Sequence, residues 1–364
     1  MSDWINKIVR VEKVEKHPNA DRLEIATVMG DYPVIIKLGQ YKVGDLVGYL
    51  SIDSVVPDTE EFYFLCPKKY EQYEENGEVK QRVVGMKYEV GSVPEKYRRL
   101  RAKKILNVYS MGMLIDCPDS MKEDDDLVDY LGLKKFEEEG EENIPNAKKS
   151  KGANAAPPPK NFVVPYYDLE SIRKYISCVE NEKDIILAEK LNGANFSAVF
   201  DEEKMYVKSR NYFKKYDPDD MWVDIAIRNS LEDKLKKYPM IVLFGEVINQ
   251  VKNFRYTTNI VNGQLLTDIY FFDAYNAKES KFLDYDDFRA IVKDLDLKHA
   301  PVLYRGPWTN KEDMYFYAEG QSVLNPKVVR EGWVLSLGKE RFEPRLNGRL
   351  KLKYVSQGYT LSKA

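Results

Sequence analysis

The stretch Ile-Ile-Leu-Ala-Glu-Lys-Leu-Asn-Gly-Ala-Asn-Phe-Ser-Ala-Val-Phe, residues 185–200, sets a lysine, Lys190, between two apolar runs. Short apolar runs separated by Asn-Gly read as buried strands meeting at a turn. A lysine there is either a solvated loop charge or a nucleophile. Taken alone, Glu189-Lys190-Leu191-Asn192-Gly193 is a strand running into a turn. The residues that follow decide the matter.

Around this point the chain alternates strand and turn signals. Asp184 to Leu187, Phe196 to Phe200 and Met205 to Ser209 read as strands, the last two joined by Asp201-Glu202-Glu203. Ile241 to Val247 and Asp268 to Tyr275 are strongly apolar strands. Helices are predicted over 220–237, 284–295 and 310–319, the last opened by the capping box Thr309-Asn310-Lys311-Glu312. Strands outnumber helices without alternating with them, which predicts an α+β domain with antiparallel sheets.

Upstream, residues 137–160 combine acidic and basic tracts with Pro157-Pro158-Pro159 and carry no periodic apolar residues. Such a segment cannot bury a core, so it reads as a flexible linker between a module at 1–136 and a domain at 161–364. The first module reads as short strands: Ile8 to Val14, Leu23 to Val28, Val34 to Leu38 and Leu46 to Leu50. Several such strands in about 100 residues predict a small closed barrel, with an OB-like fold the leading candidate.

Composition narrows the chemistry. The 364 residues are 43% hydrophobic and 32% charged, enough for real cores. No run approaches the ~20 apolar residues of a membrane helix, and the first residues lack a signal peptide's apolar run. Cys66, Cys117 and Cys178 are scattered, giving neither a disulfide framework nor a zinc pattern, so a cytoplasmic location is expected. The net charge of −3 gives no global nucleic-acid footprint, though the acidic tracts can mask a basic face. With His17 and His299 the only histidines, histidine-dependent hydrolysis and His-rich metal sites are disfavoured. The chemistry must rest on lysine and carboxylates.

After Lys190 come five further patches in order. They are Val207-Lys208-Ser209-Arg210-Asn211, Leu243-Phe244-Gly245-Glu246-Val247, Tyr270-Phe271-Phe272-Asp273-Ala274, Arg330-Glu331-Gly332-Trp333-Val334-Leu335 and Arg349-Leu350-Lys351-Leu352-Lys353-Tyr354. The last alternates with period two, sending Lys351 and Lys353 to one strand face as a cationic comb suited to polyphosphate. Each patch alone has an ordinary structural reading. Together, in this order, they resemble the motif series of covalent nucleotidyltransferases, the superfamily of ATP-dependent DNA and RNA ligases and mRNA-capping guanylyltransferases.

Within that superfamily the chain resembles the ATP-dependent RNA ligases of RNA repair. Asn192-Gly193-Ala194-Asn195-Phe196 is similar to the Gly-Thr-Asn-Phe of that family, whereas DNA ligases usually carry arginine at the place of Asn195. Only 11 residues (354–364) follow Lys353, so the second OB domain of DNA ligases and capping enzymes is not expected there. The OB-like module comes first instead, and the passage Arg99 to Leu114 is similar to the N-terminal module of one group of RNA-repair ligases. His17-Pro18-Asn19-Ala20-Asp21-Arg22-Leu23-Glu24 also resembles the opening of tRNA-binding OB modules, or is simply a loop between barrel strands.

The resemblance implies an N-terminal all-β OB-like barrel followed by an α+β nucleotidyltransferase domain (ATP-grasp-like, with antiparallel sheets). It implies ATP and Mg²⁺ or Mn²⁺ as cofactors. Lys190 would be the nucleophile that forms lysyl-AMP; Glu189, Asn192, Gly193, Asn195, Arg210, Glu246, Phe272, Lys351 and Lys353 would bind nucleotide. Glu331 and Asp273 would hold the metal. Gly193 is expected to allow a tight turn beside the nucleotide. The implied partner is RNA, as a nicked duplex or broken ends, including an RNA/DNA hybrid, for a monomer acting away from membranes. The alternatives are an ATP-dependent DNA ligase, or a non-catalytic tRNA-binding protein with a decayed ligase domain. Two positions depart from the family's pattern: Ser336 stands where a lysine is common, and Tyr166-Tyr167-Asp168 where Lys-Thr-Asp is common. Both departures predict weaker phosphate contacts.

Overall fold

The first strand, Asn6–Lys16, is long enough to serve two neighbours; it changes partner between Arg10 and Val11, beside an irregularity between Val11 and Lys13. Asn6 to Arg10 pair with Leu46–Leu50, and Val11 to Lys16 pair with Leu23–Val28. A bulge bends and twists a strand, so the sheet curls about this point. The five strands run in the order Met113–Asp116, Leu46–Leu50, Asn6–Lys16, Leu23–Val28 and Tyr32–Lys37, all antiparallel. The curl encloses Val9, Val11, Val28, Val34, Ile36, Val47 and Tyr49.

A computed structural model describes residues 4–75, 78–136, 154–249, 255–257, 260–261, 264–265 and 267–363. Its contacts divide the chain into two units, Met1–Glu138 and Glu139–Lys363. The first unit is the expected OB-like module, a curled antiparallel sheet forming a half-barrel. The gap beside Tyr32–Lys37 is bridged by Met111 N–H donating to Pro33 O at 2.7 Å and Ile35 N–H donating to Ser110 Oγ at 3.0 Å. The His17-Pro18-Asn19 loop has a structural task. His17 is buried, its Nε2 lies 3.1 Å from Ile105 O, and Asn19 Nδ2 donates to Leu106 O at 2.8 Å. Those bonds pin the tip of the hairpin formed by Lys103–Ile105 and Val108–Ser110.

Most of the expected linker, 137–153, lies outside the described residues. Its last part belongs to the second unit. Ala155–Ala156 pair with Phe213–Lys214 at a sheet edge, and Phe162 and Val164 are buried just beyond.

The second unit contains two large sheets. One has seven antiparallel strands: Ala155–Ala156, Phe213–Lys214, Met205–Ser209, Gly193–Phe200, Ile241–Ile248, Asp268–Asn276 and Lys281–Phe282. The other has five: Glu170–Ser171, Leu352–Val355, Gly332–Leu337, Ile185–Glu189 and Val302–Gly306. Its Glu170–Ser171 edge is parallel to Leu352–Val355, a departure from the all-antiparallel expectation. Helices cover one face of the seven-stranded sheet. There Ile225, Leu231, Leu235, Phe288 and Val292 pack on Phe196, Leu243 and Phe271.

The helix expected over 220–237 is two pieces, Met221–Arg228 and Leu231–Leu235, because Ser230 takes a left-handed φ of 52°. The helix starting at Lys311 is capped one residue later than the capping box suggests. Asn310 accepts from Asp313 N–H at 2.8 Å, so the reciprocal pair is Asn310 and Asp313.

Lys190-Leu191-Asn192 is the passage between the sheets: the chain leaves the five-stranded sheet at Glu189 and enters the seven-stranded one at Gly193. Lys190 N–H is anchored to Gly332 O at 2.9 Å. Gly193 is extended rather than in a tight turn, and its value is close packing. A Cβ there would lie 2.1 Å from Val247 O and 3.0 Å from Glu246 Cγ. Gly332 combines φ 152° with a Cβ position 1.9 Å from Tyr354 O. Both glycines let backbones close around the lysine. Gly193→Ala is expected to destabilise the protein by about 2–3 kcal/mol through overpacking. Thermal and urea unfolding measure this, and an unchanged midpoint would refute the close-packing role.

Candidate active site

Lys190 Nζ donates to Glu331 Oε1 at 2.5 Å, and the pair is largely shielded, with side chains 21% and 10% exposed. Burial by itself pulls the amine down, but Glu331 and Glu246 more than offset it and hold the ammonium above its ordinary value. Arg210 pushes in the opposite direction. Burial raises the Glu246 carboxyl to about 7; Lys190 works against that rise and Glu331 adds to it. Glu246 reaches this place because it projects from Ile241–Ile248 across Gly193, opposite Asn195 in the ladder.

A second group lies on the strand Asp268–Asn276. Its pairing with Ile241–Ile248 slips, so Gly245 faces Phe271, Phe244 faces Asp273, and Phe272 is the extra residue. The bulge reverses alternation. Ile269, Phe271 and Ala274 face the helices, while Phe272 and Asp273 both turn away from them. Phe272 packs edge-on to Tyr167 at 5.1 Å.

Asp273 is 3% exposed, and its Oδ2 accepts from Tyr167 Oη at 2.6 Å, Arg349 Nη1 at 2.6 Å and Lys351 Nζ at 2.7 Å. Burial opposes its charge, yet Arg349 and Lys351 override it and bring the carboxyl down to about 2. Burial draws Lys351 below the ordinary lysine value, with Asp273 partly compensating. Lys353 lies on the same strand face, 4.0 Å from Asp168 Oδ1. Arg210 pairs with Asp168 at 3.0 Å, and its Nε donates to Tyr166 Oη at 2.8 Å. A cavity of about 250 Å³ opens beside these groups, lined by Tyr166, Tyr167, Asp168, Phe282, Arg349 and Lys351 among others.

The structure thus gathers Lys190, Glu246, Glu331 and Arg210 by their mutual fields, and Phe272, Asp273 and Lys351 through Tyr167. Arg210 and Lys353 share Asp168. Other expected residues have different tasks. Glu189 points to the opposite side of its strand: its Oε2 accepts from Val323 N–H at 2.9 Å. Asn192 is held by two tyrosines, its N–H donating to Tyr256 Oη at 2.7 Å and its Nδ2 to Tyr359 Oη at 2.6 Å. The Asn195 carbonyl accepts from Trp222 Nε1 at 3.0 Å. Ser336 is buried in the sheet opposite Ile186. Tyr166-Tyr167-Asp168, read as a loss of phosphate contacts, instead organises Arg210, Asp273 and Lys353.

Four contributors escaped the sequence reading: Tyr167, Tyr256, Arg349 and Tyr359. Arg349 sat visibly two residues before Lys351, so an extended strand would have placed it on the comb's face. Tyr167 stood out only as a departure from the family's Lys-Thr-Asp, and Tyr256 and Tyr359 carried no local signal.

Two family models match the chain: the RNA ligase model over residues 183–355 and an OB-fold domain model over residues 5–92. Within its second unit the chain is similar to the RNA ligase family over residues 183–355. No curated protein matches. Among solved structures, an alanine variant of Naegleria gruberi RNA ligase with ATP and Mn is 22% identical, with TM-score 0.73 and 99% of each chain covered. A second variant with ATP and Mn gives 22%, 0.72 and 98% of each chain. The same ligase with pyrophosphate gives 21% identity and TM-score 0.70 over 99% of this chain and 98% of that one. These likenesses establish the fold of both units.

The two members of the expected metal pair, Glu331 and Asp273, stand in different surroundings. Asp273 already accepts from two cations and a phenol, and among the described residues no cluster of three metal-type ligands occurs. A divalent cation fits Glu331 and Glu246 better. Glu331 Oε2 is buried without a hydrogen-bond partner, and Glu246 carries a charge that its surroundings disfavour. Hard carboxylate oxygens suit Mg²⁺ or Mn²⁺.

Because the folded-state pKa of Lys190 is raised, its pairing adds stability below pH 10.5 that is lost as pH rises through the higher folded value. In Glu331→Gln burial is left less opposed, and the titration midpoint of Lys190 is expected to fall. The pH dependence of Lys190 modification by a small amine-reactive reagent, read by peptide mass spectrometry, measures it. An unmoved midpoint would remove Glu331 as the controlling charge.

Proposed function

We propose that the protein is an ATP-dependent RNA ligase working through lysyl-AMP. Lys190 Nζ attacks the α-phosphorus of ATP; a P–N bond forms, the bond to pyrophosphate breaks, and the amine gives up its proton. An RNA 5′-phosphate oxygen then displaces the lysine, and a 3′-hydroxyl displaces AMP to seal the strand. The observation that carries this reading is the shielded lysine at the sheet crossing, with Glu331 and Glu246 beside it. The Lys351 and Lys353 face supplies positive charge for phosphates. ATP or AMP with Mn in structures of the Naegleria gruberi ligase supports nucleotide and metal use.

Attack requires a neutral amine, and the carboxylates hold Lys190 charged. Arg210 shifts that balance toward the neutral amine. A divalent cation on Glu331 and Glu246 would supply charge neutralisation for the carboxylates and phosphates. The substrate we favour is a nick in duplex RNA or an RNA/DNA hybrid with RNA at the 3′-hydroxyl side, where a 2′-hydroxyl distinguishes RNA from DNA. Action as a monomer in the cytoplasm completes the reading; the three cysteines, all free thiols, suit a reducing compartment.

Incubation with α-labelled ATP and Mg²⁺ or Mn²⁺ should leave label on the denatured protein, and Lys190→Ala should abolish it. Unlabelled wild type, or undiminished label on the variant, would refute the proposal. Nicked duplexes with RNA or DNA at the 3′-hydroxyl side then separate an RNA ligase from a DNA ligase by sealing rate.

A further inference from the structure

Asp273 Oδ2 is a single acceptor serving three donors, and the three differ in how firmly they are held. Arg349 is fixed on several sides. Its Nη1 meets Asp273 at 2.6 Å, its Nε donates to Glu340 Oε2 at 2.9 Å, and its guanidinium lies 3.7 Å from the Phe282 ring centroid. Tyr167 is fixed by packing, its ring 4.9 Å from Phe244, 5.1 Å from Phe272 and 6.1 Å from Phe282. Lys351, though buried, meets the carboxylate through a single ammonium contact, and it borders the 250 Å³ cavity.

Resting on the ligase reading above, we propose that Tyr167 and Arg349 are positioning residues. They keep Asp273 satisfied, so that Lys351 can exchange between this carboxylate and a nucleotide phosphate entering the adjoining cavity. The physical difficulty they solve is specific. A buried carboxylate that loses its only cation is left uncompensated, at a cost that would hold Lys351 in place. Here departure of Lys351 leaves Asp273 with Arg349, the phenol of Tyr167 and the Ala274 N–H, which donates to Oδ1 at 3.0 Å. The charges also close: Asp273 and Glu340 balance Arg349 and Lys351 at rest, and the phosphate replaces Asp273 as the partner of Lys351 once it moves. No bond is made or broken in this exchange.

The test is Tyr167→Phe, which keeps the ring and removes the donor, with Arg349→Lys as an independent second variant. Lysyl-AMP formation is followed in single-turnover reactions over a range of ATP concentrations, and unfolding midpoints are recorded for each protein. Loss of one hydrogen bond to a charged acceptor should slow adenylylation at saturating ATP by roughly ten- to a hundredfold in Tyr167→Phe. The half-saturating ATP concentration should move by less than about threefold, and the protein should remain folded. Wild-type rates in Tyr167→Phe, or a loss expressed only in half-saturation, would overturn the exchange. So would collapse of folding in both variants, which would make the cluster a fold element. Absence of label on wild type would instead sink the ligase reading itself, so the two failures are distinguishable.

Discussion

A lysine ammonium is held out of bulk water at the place where the chain crosses from one sheet to the other. Burial makes the charge costly, and the crossing brings carboxylates from both sheets to offset it. Glu331 enters from the start of Gly332–Leu337 and Glu246 from the middle of Ile241–Ile248. The two glycines facing the crossing, Gly193 and Gly332, permit the backbone approach that this convergence needs. Replacing either partner alone would strand the other in a poorly solvated pocket, the costly case for buried ion pairs. The electrostatics of the lysine and the packing of two sheets are therefore one constraint.

The second cluster follows a similar logic with the signs reversed. Asp273 is a buried anion surrounded by donors, and a one-residue bulge brings it there. Without that bulge, regular alternation would send Asp273 into the apolar layer with Ile269 and Phe271. Bulges beside functional groups commonly re-aim side chains in this way.

Much of this was legible in the sequence, for identifiable reasons. The strands Leu23–Val28 and Leu46–Leu50 carry apolar and β-branched residues between turn signals, and their bounds follow from that pattern. Lys190, Glu246, Glu331 and Lys351 could be picked out because a motif series fixes residue type and order together. What stayed hidden depends on partners distant in sequence. Tyr167 and Asp273 are 106 positions apart, Asn192 and Tyr359 are 167 apart, and nothing local marks either pair. The contact of Glu189 with Val323, 134 positions away, was likewise beyond local reading. The break at Ser230 reflects a backbone conformation that the surrounding periodicity masked.

The crossing at Lys190 also has a mechanical meaning. Lys190 is tied by its own N–H to Gly332, so lysine and Glu331 belong to one rigid ladder, whereas Glu246 belongs to the other. A change in the angle between the sheets leaves the Lys190–Glu331 separation nearly constant and alters the distance from Lys190 to Glu246. Glu246 is therefore the carboxylate whose hold on the amine depends on how the two sheets meet, and Glu331 the one whose hold does not.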